Sequence, residues 1–336
     1  MKRAVFWTKI PKHIASAYSK SAREEIRKIY DLTDTIYSKV NLAGENKEDF
    51  KDVEAIFSTW GMEHFTKEEI KATFPNLKYI FYGAGSVQDF AKEFLEEGVR
   101  VFSAASANAI PVSEYTVAMI MLANKLAPHA IKRTNNAYYM TQKPCLDCVG
   151  NYKTTIGIIG AGKIGSMVVE KIKAVGVKAN FLAYDPFLSD ERAEALGVTK
   201  CSLEELFANS DVITNHLANK DELAGVLNYS LFSKMKPKAT FINSGRGRQV
   251  VEKDLVKALR EVNTRNAILD VTWPEPPKPF SAIRRMKNIY ITPHIAGSLG
   301  GEIARMGDYM VEDAVRLEAN ESPVNEVTLE MLKTLA

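Results

Sequence analysis

The sequence predicts an α/β protein of two domains, each built on a parallel sheet covered by helices. Short β-branched and aromatic runs alternate with helical patterns along the chain, the arrangement that parallel strands with helical crossovers need. The cleanest of these runs feeds straight into a glycine-rich turn and then a helix. A length of 336 residues is also more than one core serves comfortably. Apolar residues at 46% and charged residues at 25% fit a globular chain and exclude a disordered or collagen-like one.

In the first third, Arg3 to Trp7 reads as a strand. Ser21-Ala22-Arg23-Glu24 has the spacing of a capping box, with Ile26, Ile29 and Tyr30 following at helical intervals. Glu54 to Ser58 is the next strand, and Thr66 to Glu69 opens a capped helix stopped at Pro75. Tyr79 to Tyr82 is a strand running into the turn Gly83-Ala84-Gly85. Phe90 to Glu97 is helical, and Val99 to Phe102 is again a strand. A long helix is expected after Pro111, with Ser113 as its cap and Glu114 suited to its positive start. Tyr115 to Leu126 is apolar almost all round, as in a helix buried between layers, domains or subunits.

The second half is more regular. Thr155 to Ile159 is a continuous apolar strand, followed by a glycine-rich turn, a helix to about Ala174 and a strand from Phe181 to Tyr184. Asp211–Thr214, Thr240–Asn243, Ala267–Val271 and Ile289–Ile291 are further short apolar strands separated by helices. That is the profile of a doubly wound sheet. Glu302 to Leu317 reads as a last long helix.

Several function classes fall away on composition. Forty-four Lys plus Arg against 41 Asp plus Glu leave a net charge of +3, with the basic residues scattered, so no nucleic-acid partner and no membrane surface is expected. The start Met1-Lys2-Arg3 lacks the apolar core of a secretion signal, and a cytoplasmic protein is expected. Three cysteines cannot all pair, and a reducing compartment keeps them as thiols. Cys145-Leu146-Asp147-Cys148 is a CxxC, read as two loop thiols with a redox dithiol as the sharper alternative. No second ligand pair accompanies it, so no metal site is expected.

Gly160-Ala161-Gly162-Lys163-Ile164-Gly165 places GxGxxG between an apolar strand and a helix start. Gly160 permits the tight turn, Gly162 allows the backbone to approach a pyrophosphate, and Gly165 lets helix and strand pack closely. The helix N-terminus offers unpaired N–H groups to the anion. Asp185 ends the next strand about twenty residues on, placed to accept bonds from the adenosine ribose hydroxyls and to repel a 2′-phosphate. NAD is therefore expected rather than NADP.

Three later segments each put a reactive residue at the end of a strand, the edge where open α/β sheets bind ligands. Asn243-Ser244-Gly245-Arg246-Gly247 offers a guanidinium fork suited to a carboxylate. Leu269-Asp270-Val271-Thr272-Trp273-Pro274-Glu275-Pro276 holds Asp270 at the strand end and Glu275 in a stiff proline loop. Thr292-Pro293-His294-Ile295-Ala296-Gly297 supplies an imidazole. Each alone has a plain structural reading. Together they are the parts for reducing a 2-oxo acid: Arg246 to hold the carboxylate, His294 to donate a proton, and Glu275 to orient the imidazole.

These segments, in this order and approximate spacing, resemble the D-isomer-specific 2-hydroxyacid dehydrogenases, with the phosphoglycerate dehydrogenases as a close branch. The likeness covers roughly Gly83 to Gly297. It implies a Rossmann-type doubly wound sheet, residues 112–298, inserted into a second, flavodoxin-like α/β substrate domain of residues 1–111 plus 299–336. It implies Arg246, Glu275 and His294 as the catalytic trio. Lys163 and Ile164 would lie over the pyrophosphate, Ser244 and Gly245 near the cofactor, and Asp270 facing the nicotinamide carboxamide. Ala84 and Gly85 would bind the acid through backbone N–H groups. The cofactor would be NAD (NADH) and the substrate a small 2-oxo or 2-hydroxy acid. The long apolar helix from Ser113 itself suggests a homodimer built through the nucleotide domain.

The chain departs from the family pattern in places. The spacing from Gly165 to Asp185 is about two residues longer than usual, His216-Leu217-Ala218 has Ala where Pro is common, and Ser86-Val87-Gln88 follows the acid-binding turn where an acidic and amide pair is usual. Trp60 is expected in the core, with a pocket wall as the other reading. The rival function is an NAD-sensing binding protein like the corepressors that share this fold.

Overall fold

The computed structural model describes residues 2–43, 49–134, 145 and 147–333. It divides into two compact units, Met1–Ala109 with Ser298–Ala336, and Ile110–Gly297.

In the first unit, β1 (Lys2–Trp7), β2 (Tyr30–Tyr37), β3 (Val53–Ser58), β4 (Tyr79–Tyr82) and β5 (Arg100–Ser103) lie in the order β2-β1-β3-β4-β5. These five are parallel, and a two-residue strand, Glu326–Val327, adds antiparallel to β5. This is the flavodoxin-like order, reversing between β1 and β3. Side chains alternate across the strands, so both faces are covered. Val5 and Trp7 join Phe50, Phe65, Phe74 and Phe94 on one side. On the other, Phe57, Phe81 and Phe102 are in register and stack at 4.8 and 5.1 Å. The helix Glu302–Glu318 closes that side with Met306, Met310 and Ala314. It crosses the helix Lys12–Ala17 at Gly307, where a Cβ would collide with the Ala17 carbonyl.

In the second unit, β6 (Tyr152–Ile159), β7 (Lys178–Tyr184), β8 (Thr199–Lys200), β9 (Val212–Asn215), β10 (Thr240–Asn243), β11 (Asn266–Leu269) and β12 (Ile289–Ile291) form one parallel sheet. Its order is β8-β7-β6-β9-β10-β11-β12, a Rossmann sheet with a seventh strand that reverses between β6 and β9. The interior is mostly aliphatic: Ile156, Ile158, Val168 and Ile172 on one face, Ile159, Leu206, Ile213 and Leu255 on the other. The strand ends line up, with Tyr184, Ile159, Asn215, Asn243, Leu269 and Ile291 successive register partners. Every loop leaving this edge therefore starts from one row.

Three local expectations are corrected. The helix expected to be capped at Ser21 runs Lys20–Ile29 and is capped by Ser19, whose Oγ accepts from the Ala22 N–H at 3.2 Å. Tyr30 does not continue that helix; it begins β2, whose outward Asp31, Thr33 and Asp34 mask the strand pattern. Pro111 does not start the long helix. That helix runs Ala105–Ala123 with Pro111 inside it, and Ser113 is no cap because its Oγ donates to the Ile110 carbonyl at 2.6 Å. The proline forgoes one backbone bond, to Ala107, and is tolerated because its ring is buried.

Candidate active site

The fingerprint occupies the reversal point of the second sheet. Gly160 has φ +85°, and a Cβ there would sit 2.8 Å from the His216 carbonyl oxygen. A Cβ on Gly165 would overlap the Gly160 carbonyl. Both glycines are thus dictated by the chain's own backbone. Gly162 is different. It is the N-cap of the helix Lys163–Ala174, has φ −69°, and a Cβ there would meet nothing within 4 Å. No side chain caps that helix and no acidic residue stands in its first turn. An uncapped helix start with open space over Gly162 fits a pyrophosphate. Lys163 is exposed and Ile164 half-buried at that start. Asp185 closes over the turn from β7, its Oδ2 accepting from the Ala161 N–H at 2.9 Å and its Oδ1 from the Phe187 N–H at 2.8 Å.

Next along the row stand the residues expected to do chemistry. Ser244 Oγ lies 3.2 Å from Thr116 Oγ1 of the long helix. The Gly245 N–H donates to Asn243 Oδ1 at 3.1 Å, and half-buried Arg246 donates from Nη1 to the Gly245 carbonyl at 3.0 Å. From β12, the loop after Ile291 brings His294 Nδ1 to 2.5 Å from Glu275 Oε1. Both side chains stay open to solvent, 50% and 39% exposed. His294 holds φ +55°, uncommon for a residue with a Cβ, and its N–H donates to the Asp270 carbonyl at 3.0 Å.

Asp270 is what keeps that turn in place. It is 2% exposed, its Oδ1 accepts from Thr292 Oγ1 at 2.6 Å and from the Ile295 N–H at 2.8 Å, and its Oδ2 accepts from the Ala296 N–H at 2.9 Å. Three bonds inside the loop make this carboxylate a clamp on the histidine turn. Thr292 gives its one proton to Asp270, so the Tyr115 hydroxyl, 2.7 Å away, donates to Thr292. Burial pushes the Tyr115 hydroxyl up to about 12, which keeps it a donor. Sequence reasoning passed over Tyr115 and Thr292; position 292, inside the histidine segment, was the available signal.

Three buried amides were also passed over. Asn215, Asn243 and Gln249 are each at most 1% exposed and bond to one another behind the Arg246 loop. Beside them His216 Nε2 lies 3.1 Å from Thr214 Oγ1, while its Nδ1 is sealed from solvent with no hydrogen-bond partner among the described residues. Burial holds that imidazole down at about 3, so it is neutral.

The turn Gly83-Ala84-Gly85, expected to bind the acid, lies in the first unit. The Gly83 N–H donates to the Ser58 carbonyl and the Ala84 N–H to the Tyr82 carbonyl, both at 2.8 Å. Those two N–H groups serve the turn itself; Ala84 is fully buried and Gly85 half-buried. Trp60 is half-buried against both aromatic cores, its ring edge-on to His13 at 5.4 Å. Cys145 and Cys148 are free thiols, and burial raises Cys145; Leu146 lies outside the described residues. Among the described residues no group of three or more His, Cys, Asp or Glu side chains could hold a metal ion, and no helix is long and apolar enough to cross a membrane.

Residues 117–296 match the family model of the D-isomer specific 2-hydroxyacid dehydrogenase NAD binding domain. The chain is 36% identical over 204 residues to a D-3-phosphoglycerate dehydrogenase of Synechocystis sp., covering 60% of this chain and 36% of that protein. It is 33% identical over 235 residues to a D-3-phosphoglycerate dehydrogenase of Archaeoglobus fulgidus, covering 70% of this chain and 44% of that one. The chain thus spans well under two thirds of these relatives' length. The crystal structure of a phosphoglycerate oxidoreductase from Rhizobium etli shares the fold, with TM-score 0.79 and 21% identity over 99% of this chain and 100% of that one. The chain belongs to the D-isomer specific 2-hydroxyacid dehydrogenase family, and its second unit carries that family's NAD-binding domain.

Proposed function

We propose that the protein catalyses the NADH-dependent reduction of a small 2-oxo acid to the D-2-hydroxy acid, and the reverse. The observation that carries this reading is the 2.5 Å pairing of His294 with Glu275 on the same sheet edge as the dinucleotide fingerprint. When bound, the nicotinamide supplies the hydride. Glu275 only accepts, so it keeps a proton on His294 Nδ1 and fixes the ring's orientation. The opposite nitrogen, Nε2, then delivers its proton to the carbonyl oxygen as hydride reaches the carbon. Arg246 pairs with the substrate carboxylate and polarises the carbonyl. Asp270 positions the histidine turn through its three bonds. Asp185, at the glycine turn, favours NAD over NADP by repelling a 2′-phosphate.

The test is NADH oxidation against a panel running from glyoxylate and pyruvate to branched and aromatic 2-oxo acids. Turnover with at least one, with NADH preferred to NADPH, supports the reading. Tight NADH binding without turnover on any of them points instead to a dinucleotide sensor. Two further parts of the proposal are a homodimer and a cytoplasmic setting. Leu122, on the long helix, is exposed, as are Ile131 and Tyr152, an apolar set that a second copy would cover, and light scattering reads the mass directly. A reducing cytoplasm would keep the three free thiols reduced.

A further inference from the structure

The amide trio behind the Arg246 loop runs in one direction only. Gln249 Nε2 donates to the Leu217 carbonyl at 3.2 Å and to the Ala218 carbonyl at 2.7 Å. Carbonyls cannot donate, so Gln249 must present its Oε1 the other way, where Asn215 Nδ2 donates to it at 2.7 Å. Asn215 Nδ2 also donates to Asn243 Oδ1 at 3.0 Å, and Asn215 Oδ1 accepts from the Leu217 N–H at 3.3 Å. Asn243 Oδ1 then takes the Gly245 N–H, and its Nδ2 donates to the Arg246 carbonyl at 3.2 Å. Flipping any one amide would set like groups against each other, so the relay has a single state.

The relay ends on two loops with different tasks. One end is the backbone of residues 216–218, which closes on Gly160 of the fingerprint. The other is the backbone of Gly245 and Arg246. The packing is tight around Gly245, where a Cβ would stand 3.0 Å from Asn215 Nδ2 and 3.3 Å from Gln249 Oε1, so those side chains would have to give slightly.

We infer that Gln249 is a positioning residue: through Asn215 and Asn243 its carboxamide locks the loop bearing Arg246 to the 216–218 loop beside the fingerprint, so the carboxylate-binding and dinucleotide-binding loops hold their shape together. The arm concerning the 2-oxo acid rests on the function proposed above; the arm concerning the dinucleotide does not. A purely stabilising role would cost folding free energy alone. A positioning role makes both loops lose definition at once.

The test is Gln249→Met, which keeps the volume and removes both donors. Expected are an NADH Kd and a 2-oxo acid KM each raised about tenfold with kcat within about threefold. Exchange of the Leu217 and Gly245 amide protons should quicken together. Asn288→Leu is the control: it removes a buried amide of the same unit, bonded to the Leu259 and Arg265 carbonyls, and should lower Tm while leaving Kd and KM unchanged. The inference is overturned if Gln249→Met leaves Kd and KM at their original values, or if Asn288→Leu shifts them equally. If no 2-oxo acid is turned over, the functional reading fails, while Kd and exchange still decide the role of Gln249. If Gln249→Met does not fold, the unaltered protein decides: a common lock gives Leu217 and Gly245 the same exchange protection, and protection differing by more than about tenfold overturns it.

Discussion

The two sheets are both built of parallel strands with a reversal point each, yet their C-terminal edges are furnished differently. In the first unit the hydroxyls at that edge tie backbone to backbone. Tyr18 reaches the Ser58 and Phe81 carbonyls at 2.9 and 2.8 Å, Thr59 the Gly83 carbonyl at 2.9 Å, and Thr8 the Trp60 carbonyl at 2.8 Å. In the second unit the edge carries a half-buried guanidinium and an exposed imidazole with its carboxylate, with the ties placed one layer deeper in Asp270 and the amides. The comparison teaches that a reversal point makes room for a ligand, while chemistry needs charged groups backed by a buried second layer.

The sharpest way to break this contrast is at the imidazole. His294→Ala should lower kcat about a thousandfold while the NADH Kd stays within about twofold; undiminished turnover would remove the histidine from the mechanism. The fingerprint glycines come next. Gly165→Ala forces a Cβ into the Gly160 carbonyl and should lower Tm by about 5–10 °C. Gly162→Ala meets nothing and should leave Tm within about 2 °C while weakening NADH at least about tenfold. Equal Tm losses for the two would show that Gly162 serves the fold after all.

A smaller effect comes from His216. The folded state holds it near 3, below its ordinary value of 6.5, so between those values the unfolded chain binds a proton that the folded one refuses. Stability from this source is complete above about pH 6.5 and falls on acidification, by about 2 kcal/mol at pH 5. His216→Gln should flatten that part of an acid unfolding series; an unchanged slope would mean the ring is wetter than it looks. The least is expected in the first unit. Tyr18→Phe gives up its bonds to two strand carbonyls, worth about 1 kcal/mol, and the NADH Kd should not move.

What the sequence made legible follows the same division. The fingerprint, Asp185 and the three edge segments were readable because strand, turn glycine and reactive residue are close neighbours in the chain. Strand β2 was not, since an edge strand with Asp31 and Asp34 facing outward loses the apolar alternation. The long helix was misjudged at Pro111 because tertiary packing outweighed the local penalty of a proline. The Asn215–Asn243–Gln249 relay left no trace at all: amides separated by 28 and 34 positions have no spacing rule, and only the register of β9 on β10 brings the asparagines together. Asp270 was found, but its part in holding the histidine turn became visible only with its partners.

The first unit takes its five parallel strands from before the inserted unit, and the helix Glu302–Glu318 with the short strand Glu326–Val327 from after it. During synthesis its aromatic ladder of Phe57, Phe81 and Phe102 therefore emerges long before Met306 and Met310, which cover it. The inserted unit, encoded without interruption, has every strand of its sheet in hand first. The order of assembly follows this layout: the dinucleotide domain has all its strands once it is made, while a stacked aromatic face, covered in part by Ile14, Tyr18 and Ile26, waits for Glu302–Glu318 to close it.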